Sequence, residues 1–229
     1  MDQRVGRKST GLLCYPAIAN NDKGVIMKQF VRTLVTLAAL LGSAASFGFG
    51  MERFVEGVHY TRAENGAPQP NSVVEFFSFG CPHCAHLEPA VEKWLQTKPA
   101  QVEFSRVPAI WNPRFAFLAQ VYFTVEALGL KGDAIQAVFN HIHKDNKPLT
   151  NEQEAAALFA GLGVDAGRFK AVWDAPELKT KMSGAQEILV RFKVSGVPAF
   201  LVGGQYMTSV NMAGSEAELF EVIAFLLSK

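Results

Sequence analysis

The sequence predicts an α/β fold in which a mixed central sheet is interrupted by an all-helical insertion. Three observations lead there. Nearly continuous apolar runs at "NSVVEFFSF" (71–79) and "QVEFSRVPAI" (101–110) read as buried strands on either side of one helix. From residue 113 to about 194, helical patterns follow one another with almost no strand signal. Strand signals then return at "PAFLVGGQYMTSV", and a last helix closes the chain.

Each element has a local reason. The first apolar run is bounded by "GAPQP" and Gly80, and Glu75 is its one interruption. In the helix that follows, Leu87, Ala90, Val91, Trp94 and Leu95 recur at helical spacing and form one apolar face. Cys81 falls at its N-terminus and Pro82 in its first turn, where a missing N–H costs nothing. Pro89 lies inside it and is expected to kink it. The strand over 101–110 should run parallel to the first, because a helix connects the two. In the helical block, Thr150 with Gln153 fits a capping box and Asp165 a helix cap. Gly203-Gly204 signals a hairpin turn with "QYMTSV" as the returning strand, and Ser215 with Glu218 caps the final helix. A helical block of about eighty residues between two parts of one sheet is a subdomain rather than a loop. The expected division is 54–112 for the first part of the sheet domain, 113–190 for the insertion and 191–229 for the second part.

The N-terminal region reads differently. From Met27, basic Lys28 and Arg32 precede a short apolar core and then small residues, the order of a secretory signal. Its apolar stretch is shorter than the ~18 residues of a spanning helix. Residues 27–45 are therefore expected to be a cleaved signal peptide, and 1–26 a mis-assigned or disordered leader. Cys14 lies in that leader, so the exported chain carries only Cys81 and Cys84. The full chain of 229 residues is 49% hydrophobic and 19% charged, with a formal net charge of +1. That balance supports a sizeable core and gives no basis for a nucleic-acid partner.

The Cys81-Pro82-His83-Cys84 run admits three chemistries. Structural zinc needs four ligands. There is no second cysteine pair, His83 and His86 lie too close to the first, and His141 and His143 should face different sides of a helix. No metal is expected. A structural disulfide would close so small a loop that it constrains the unfolded chain little. A redox couple has a mechanism. Free N–H groups and the macrodipole at a helix N-terminus favour an anion, so Cys81 should react as a thiolate. Cys84, one turn on, is the natural resolving thiol, and His83 adds positive charge. A stabilised thiolate is a good leaving group, which makes the disulfide easy to reduce.

"CPHC" after "EFFSF", followed by a helical block and then "SGVPAFLVGG", resembles the thiol:disulfide oxidoreductases of the bacterial DsbA type. The resemblance covers most of the chain after the signal. It implies a thioredoxin fold with a helical insertion, and no cofactor beyond the Cys81-Cys84 disulfide. It makes Cys81 the exposed nucleophile, Cys84 the buried resolving cysteine, and Pro82 and His83 the tuning dipeptide. This family is itself a standing example of a low-pKa cysteine and a strongly oxidising pair. Pro198 becomes a cis-proline opposite the pair, with the backbone of Val197 free to meet a substrate strand. Glu75 resembles the family's buried acid, whose pKa burial would raise; the alternative is a rim residue at a strand end. Arg106 stands where the best-known pattern has lysine, so the partner of Glu75 stays charged. His86 reads as a solvated helix residue.

The implied function is that of a monomeric, periplasmic oxidase. It would donate its disulfide to unfolded exported proteins bearing free thiols, then be reoxidised by a DsbB-like, quinone-linked membrane oxidase. Two alternatives stand beside it. An isomerase or reductase of the same superfamily is one, but isomerases carry an N-terminal dimerisation domain for which residues 46–80 leave no room. The other is a non-enzymatic chaperone using a groove between sheet and helical block.

Overall fold

The computed structural model describes residues 52–130 and 132–229. The expected leader, the signal segment and Cys14 lie outside the described residues.

The chain order explains how the site is built. A short strand β1 (Thr61–Arg62) leads to β2 (Ser72–Phe77), helix α1 (Pro82–Thr97) and β3 (Glu103–Pro108). The helical block follows as α2 (Pro113–Ala127), α3 (Gly132–Phe139), a π-helical turn (Asn140–Lys144), α4 (Glu152–Gly161), α5 (Ala166–Trp173) and α6 (Pro176–Arg191). Then come β4 (Ala199–Val202), β5 (Tyr206–Thr208), a single turn α7 (Val210–Ala213) and α8 (Glu216–Leu227). Among the described residues the strands form one mixed sheet in the order β1-β5-β4-β2-β3. Only the β2–β3 pair is parallel, as its helical crossover requires.

Register fixes the chemistry of the interior. Glu75 pairs with Arg106 across β2–β3 and with Phe200 across β2–β4. Strand alternation puts Glu75 on the same face as Val73 and Phe77. Phe76, on the opposite face, packs against Phe192 just beyond α6, with ring centroids 6.5 Å apart. Phe77, Phe79, Tyr122 and Phe139 form edge-on aromatic contacts that tie the end of β2 to the helical block. Each such ring contributes ~1.5–3 kcal/mol by leaving water. This cluster fixes the loop that carries Cys81. A second cluster, with Val73, Leu87, Val91, Phe200, Leu219 and Ile223, packs α1 and α8 onto the sheet.

Several local expectations need correction. The cap of α4 is Asn151, whose side chain accepts from the Glu154 N–H, while the Glu154 carboxylate reaches back to the Thr150 N–H. The Thr150/Gln153 box is thus displaced by one residue, because the asparagine oxygen is the one that meets a free N–H. The returning strand stops at Thr208, since Ser209 caps the short helix α7. Pro89 lies inside helix α1, which runs on to Thr97. Asp165 and Ser215 cap their helices as expected. At the hairpin, Gly203 and Gly204 have φ of 59° and 67°. A Cβ at Gly204 would also run into the Ala67 carbonyl.

Candidate active site

Cys81 is the N-cap of α1. It takes extended backbone angles there because Pro82 starts the helix and restricts the residue before it. The Cys81 N–H donates to the Ser78 carbonyl at 3.0 Å, and the Gly80 N–H donates to Ser78 Oγ at 3.1 Å. The loop is held from the helical block as well: His143 Nε2 lies 2.7 Å from the Phe79 carbonyl oxygen. His141 Nε2 instead meets the Pro148 carbonyl, so the two histidines do face different ways.

Both thiols are free. The Cys84 backbone N–H donates to Cys81 Sγ at 3.4 Å, and as a thiol Cys81 donates to the Val197 carbonyl, also at 3.4 Å. Cys81 is 9% exposed and Cys84 1%. The expectation of an exposed Cys81 is therefore corrected: it is the more open of the pair but lies recessed, because Val197 covers it. Pro82, His83 and His86 are exposed on the rim, and His86 Nε2 lies 3.3 Å from Glu216.

The electrostatics separate the two sulfurs. The hydrogen bond from the Cys84 thiol does most to pull Cys81 down to about 6, against burial; N–H groups of Cys84 and His83 and the His83 charge add to it. Sequence reasoning put the helix end and His83 first, whereas the neighbouring thiol contributes most. Burial pushes Cys84 up, and its hydrogen bond to Cys81 and the nearby Cys81 charge push it further. The arrangement can hold one thiolate and one thiol at neutral pH.

Val197–Pro198 is a cis peptide bond. The β2–β4 ladder ends at Phe76–Ala199, so Val197 lies just past the last paired residue. Beside it opens a groove of about 560 Å³ lined by His83, His86, Val197, Pro198, Met207 and Met212, among others. The cysteine pair, the proline turn and the groove thus meet in one place.

Glu75 is buried, not on a rim, and burial raises its pKa against the pull of Arg106. Arg106 Nε donates to Glu75 Oε2 at 2.8 Å, while its Nη2 donates to both oxygens of Glu88 at 2.9 Å. Glu88 is 1% exposed and was missed by sequence reasoning. A signal was present: Glu88 follows Cys84 by four residues, on the same buried face as Leu87 and Val91. Burial pushes the Glu88 carboxyl up to about 8; Arg106 opposes this, and Glu75 and Glu92 reinforce it.

Known proteins resemble this chain. A family model described as a DSBA-like thioredoxin domain matches residues 106–220. The chain is 33% identical over 205 residues to the thiol:disulfide interchange protein DsbA of Pseudomonas aeruginosa, covering 87% of this chain and 97% of that protein. It is 38% identical over 149 residues to the DsbA of Bordetella pertussis, covering 65% of this chain and 71% of that one. The crystal structure of Pseudomonas aeruginosa DsbA superposes with a TM-score of 0.72 at 33% identity, over 76% of this chain and 93% of that one. A cysteine pair at a helix end, a sheet split by helices and a relative aligned over almost its whole length all agree: the chain belongs to the DsbA family of thioredoxin-fold thiol:disulfide oxidoreductases.

Proposed function

We propose that the protein oxidises exported proteins in the periplasm through a Cys81–Cys84 disulfide. A substrate thiolate attacks Cys81, giving a mixed disulfide and releasing Cys84, which takes up a proton. A second substrate thiol attacks the mixed disulfide, forming the substrate disulfide and leaving Cys81 as thiolate. Two electrons pass to the pair and no cofactor takes part. Pro82 and His83 tune Cys81, and the backbone of Val197 before Pro198 aligns the substrate strand along the groove. Reoxidation falls to a DsbB-like, quinone-linked membrane oxidase, and the protein works as a monomer after loss of residues 1–45.

The observation that carries the direction of electron flow is Cys81 Sγ at the N-cap, accepting hydrogen bonds from Cys84. Its folded pKa of about 6 lies below the ordinary thiol value of 9.0. The sign follows from linkage. Between these values the unfolded reduced chain binds the extra proton, so reduced-state stability rises with pH and is lost as pH falls through about 6. The oxidised protein has no such thiolate. Reduction therefore gains stability that the disulfide form lacks, and the pair accepts electrons. Equilibration in glutathione buffers at pH 7 tests this. The expected result is a pair mostly reduced at a glutathione poise that keeps ordinary structural disulfides oxidised; a pair that stays oxidised in the same buffer would sink the oxidase reading.

A further inference from the structure

His143 takes no part in the exchange reaction. Yet among the described residues it is the only side chain of the helical block that hydrogen-bonds the loop from Ser78 to Cys81. Its Nε2 lies 2.7 Å from the Phe79 carbonyl oxygen. A carbonyl only accepts, so Nε2 carries the hydrogen and donates. The π-helical turn positions the imidazole. His143 follows Phe139 by four residues with the rings 6.2 Å apart, and Phe139 packs edge-on against Phe79 at 5.0 Å. Phe79 is 1% exposed, and no other group among the described residues hydrogen-bonds its carbonyl. A buried acceptor left without a donor is costly, so losing His143 drives the Phe79–Gly80 peptide to turn toward water. The Phe79 ring cannot follow, because Phe77 and Phe139 hold it. The movement passes instead to Gly80 and Cys81, whose N–H groups are both tied to Ser78.

We propose that His143 is a positioning residue for the exchange: by donating to the Phe79 carbonyl it holds Cys81 at the N-cap of α1, where the thiolate is stabilised. The inference rests on the exchange chemistry proposed for Cys81 and Cys84. The reduced pair depends on that placement. Cys81 Sγ accepts from the Cys84 N–H at 3.4 Å and faces the helix end only while the loop holds it there. The oxidised pair depends on it less, because the covalent bond ties Cys81 to Cys84 whatever the loop does. Loosening the loop therefore destabilises the thiolate form more than the disulfide form, and the pair becomes a weaker oxidant. The helical block thus acts on the chemistry of Cys81 through one imidazole, with no contact to either sulfur.

Two amide variants test this by reach. The side-chain nitrogen of His143→Gln falls where Nε2 lies and can still donate to Phe79. That of His143→Asn falls where Nδ1 lies and stops short. Neither carries a charge, so a difference between them reports the donor and not an imidazolium. His143 is half-buried, beside a hollow of about 280 Å³ bounded by Pro82 and Lys144, so both variants have room to fold; urea unfolding checks that they do. Thiolate absorbance against pH and equilibration with glutathione give the two readouts. His143→Asn should raise the Cys81 midpoint by about half to one pH unit and move the glutathione equilibrium about three- to tenfold toward the oxidised pair, the same free energy read twice. His143→Gln should stay close to wild type in both. Unchanged readouts in His143→Asn overturn the proposal, even if its urea stability falls, because His143 is then a structural contact only. Equal shifts in the two variants overturn it as well. A wild-type pair that fails to oxidise in glutathione rejects the oxidase reading instead, and the thiolate titrations of the variants still decide on His143.

Discussion

Cys81→Ser is expected to reduce the oxidation of a dithiol peptide to the uncatalysed background. A serine hydroxyl cannot form the mixed disulfide, and the recessed Cys84 cannot substitute for it. Cys84 is 1% exposed, and burial, which the substitution leaves in place, holds its pKa up, so it is a poor nucleophile at neutral pH. Cys84→Ser is expected to behave differently. Cys81 remains open enough to react, but nothing resolves the product, and a mixed disulfide accumulates. Peptide oxidation kinetics and non-reducing electrophoresis distinguish the two. Residual oxidation by the Cys81→Ser variant would contradict the assignment of Cys81 as the nucleophile.

Arg106→Met is expected to have the largest effect on stability. Its side chain separates Glu75 from Glu88 and donates to both, deep in the β2–β3–α1 interface. Removing one partner of a buried ion pair costs about 3–5 kcal/mol, because the remaining charge is left uncompensated. Two carboxylates are stranded here, and both can escape by binding protons. In the variant their folded pKa values lie further above the ordinary carboxylate value. Folded chains then hold protons that unfolded chains have lost, so stability falls as pH rises through the carboxylate range and beyond. The deficit relative to wild type should be small near pH 6 and clearly larger at pH 9, where wild-type Glu88, at about 8, has ionised beside Arg106. Urea unfolding at the two pH values measures it, and a deficit independent of pH would mean that Arg106 acts through packing alone.

The thiol:disulfide exchange chemistry was legible in the sequence, because it depends on local features. Cys81 at a helix start and Pro82 behind it carry signatures within a few residues, whereas the role of the distant Val197-Pro198 came from the family resemblance. Glu75 was legible for the same reason, as the one charge inside an apolar strand. Glu88 was not, since it sits in "LEPAVEKW" among other charges and next to a proline, and its burial comes from the sheet beneath α1. Arg106 was read as a partner for Glu75 from its strand, but its second carboxylate arrives from a helix. Strand β1 is two residues long and has no periodicity to detect. The errors at Asn151 and Ser209 are of a different kind. Two polar residues in succession compete for a cap, and only the backbone path decides which one meets a free N–H.

The separation of the two thiols is the centre of this account, and an ultraviolet titration of the reduced protein reads it directly through thiolate absorbance. The account predicts one thiolate appearing with a midpoint of about 6 and no second one before the ordinary thiol value of 9.0 has been passed. Two thiols titrating together near that ordinary value would contradict it.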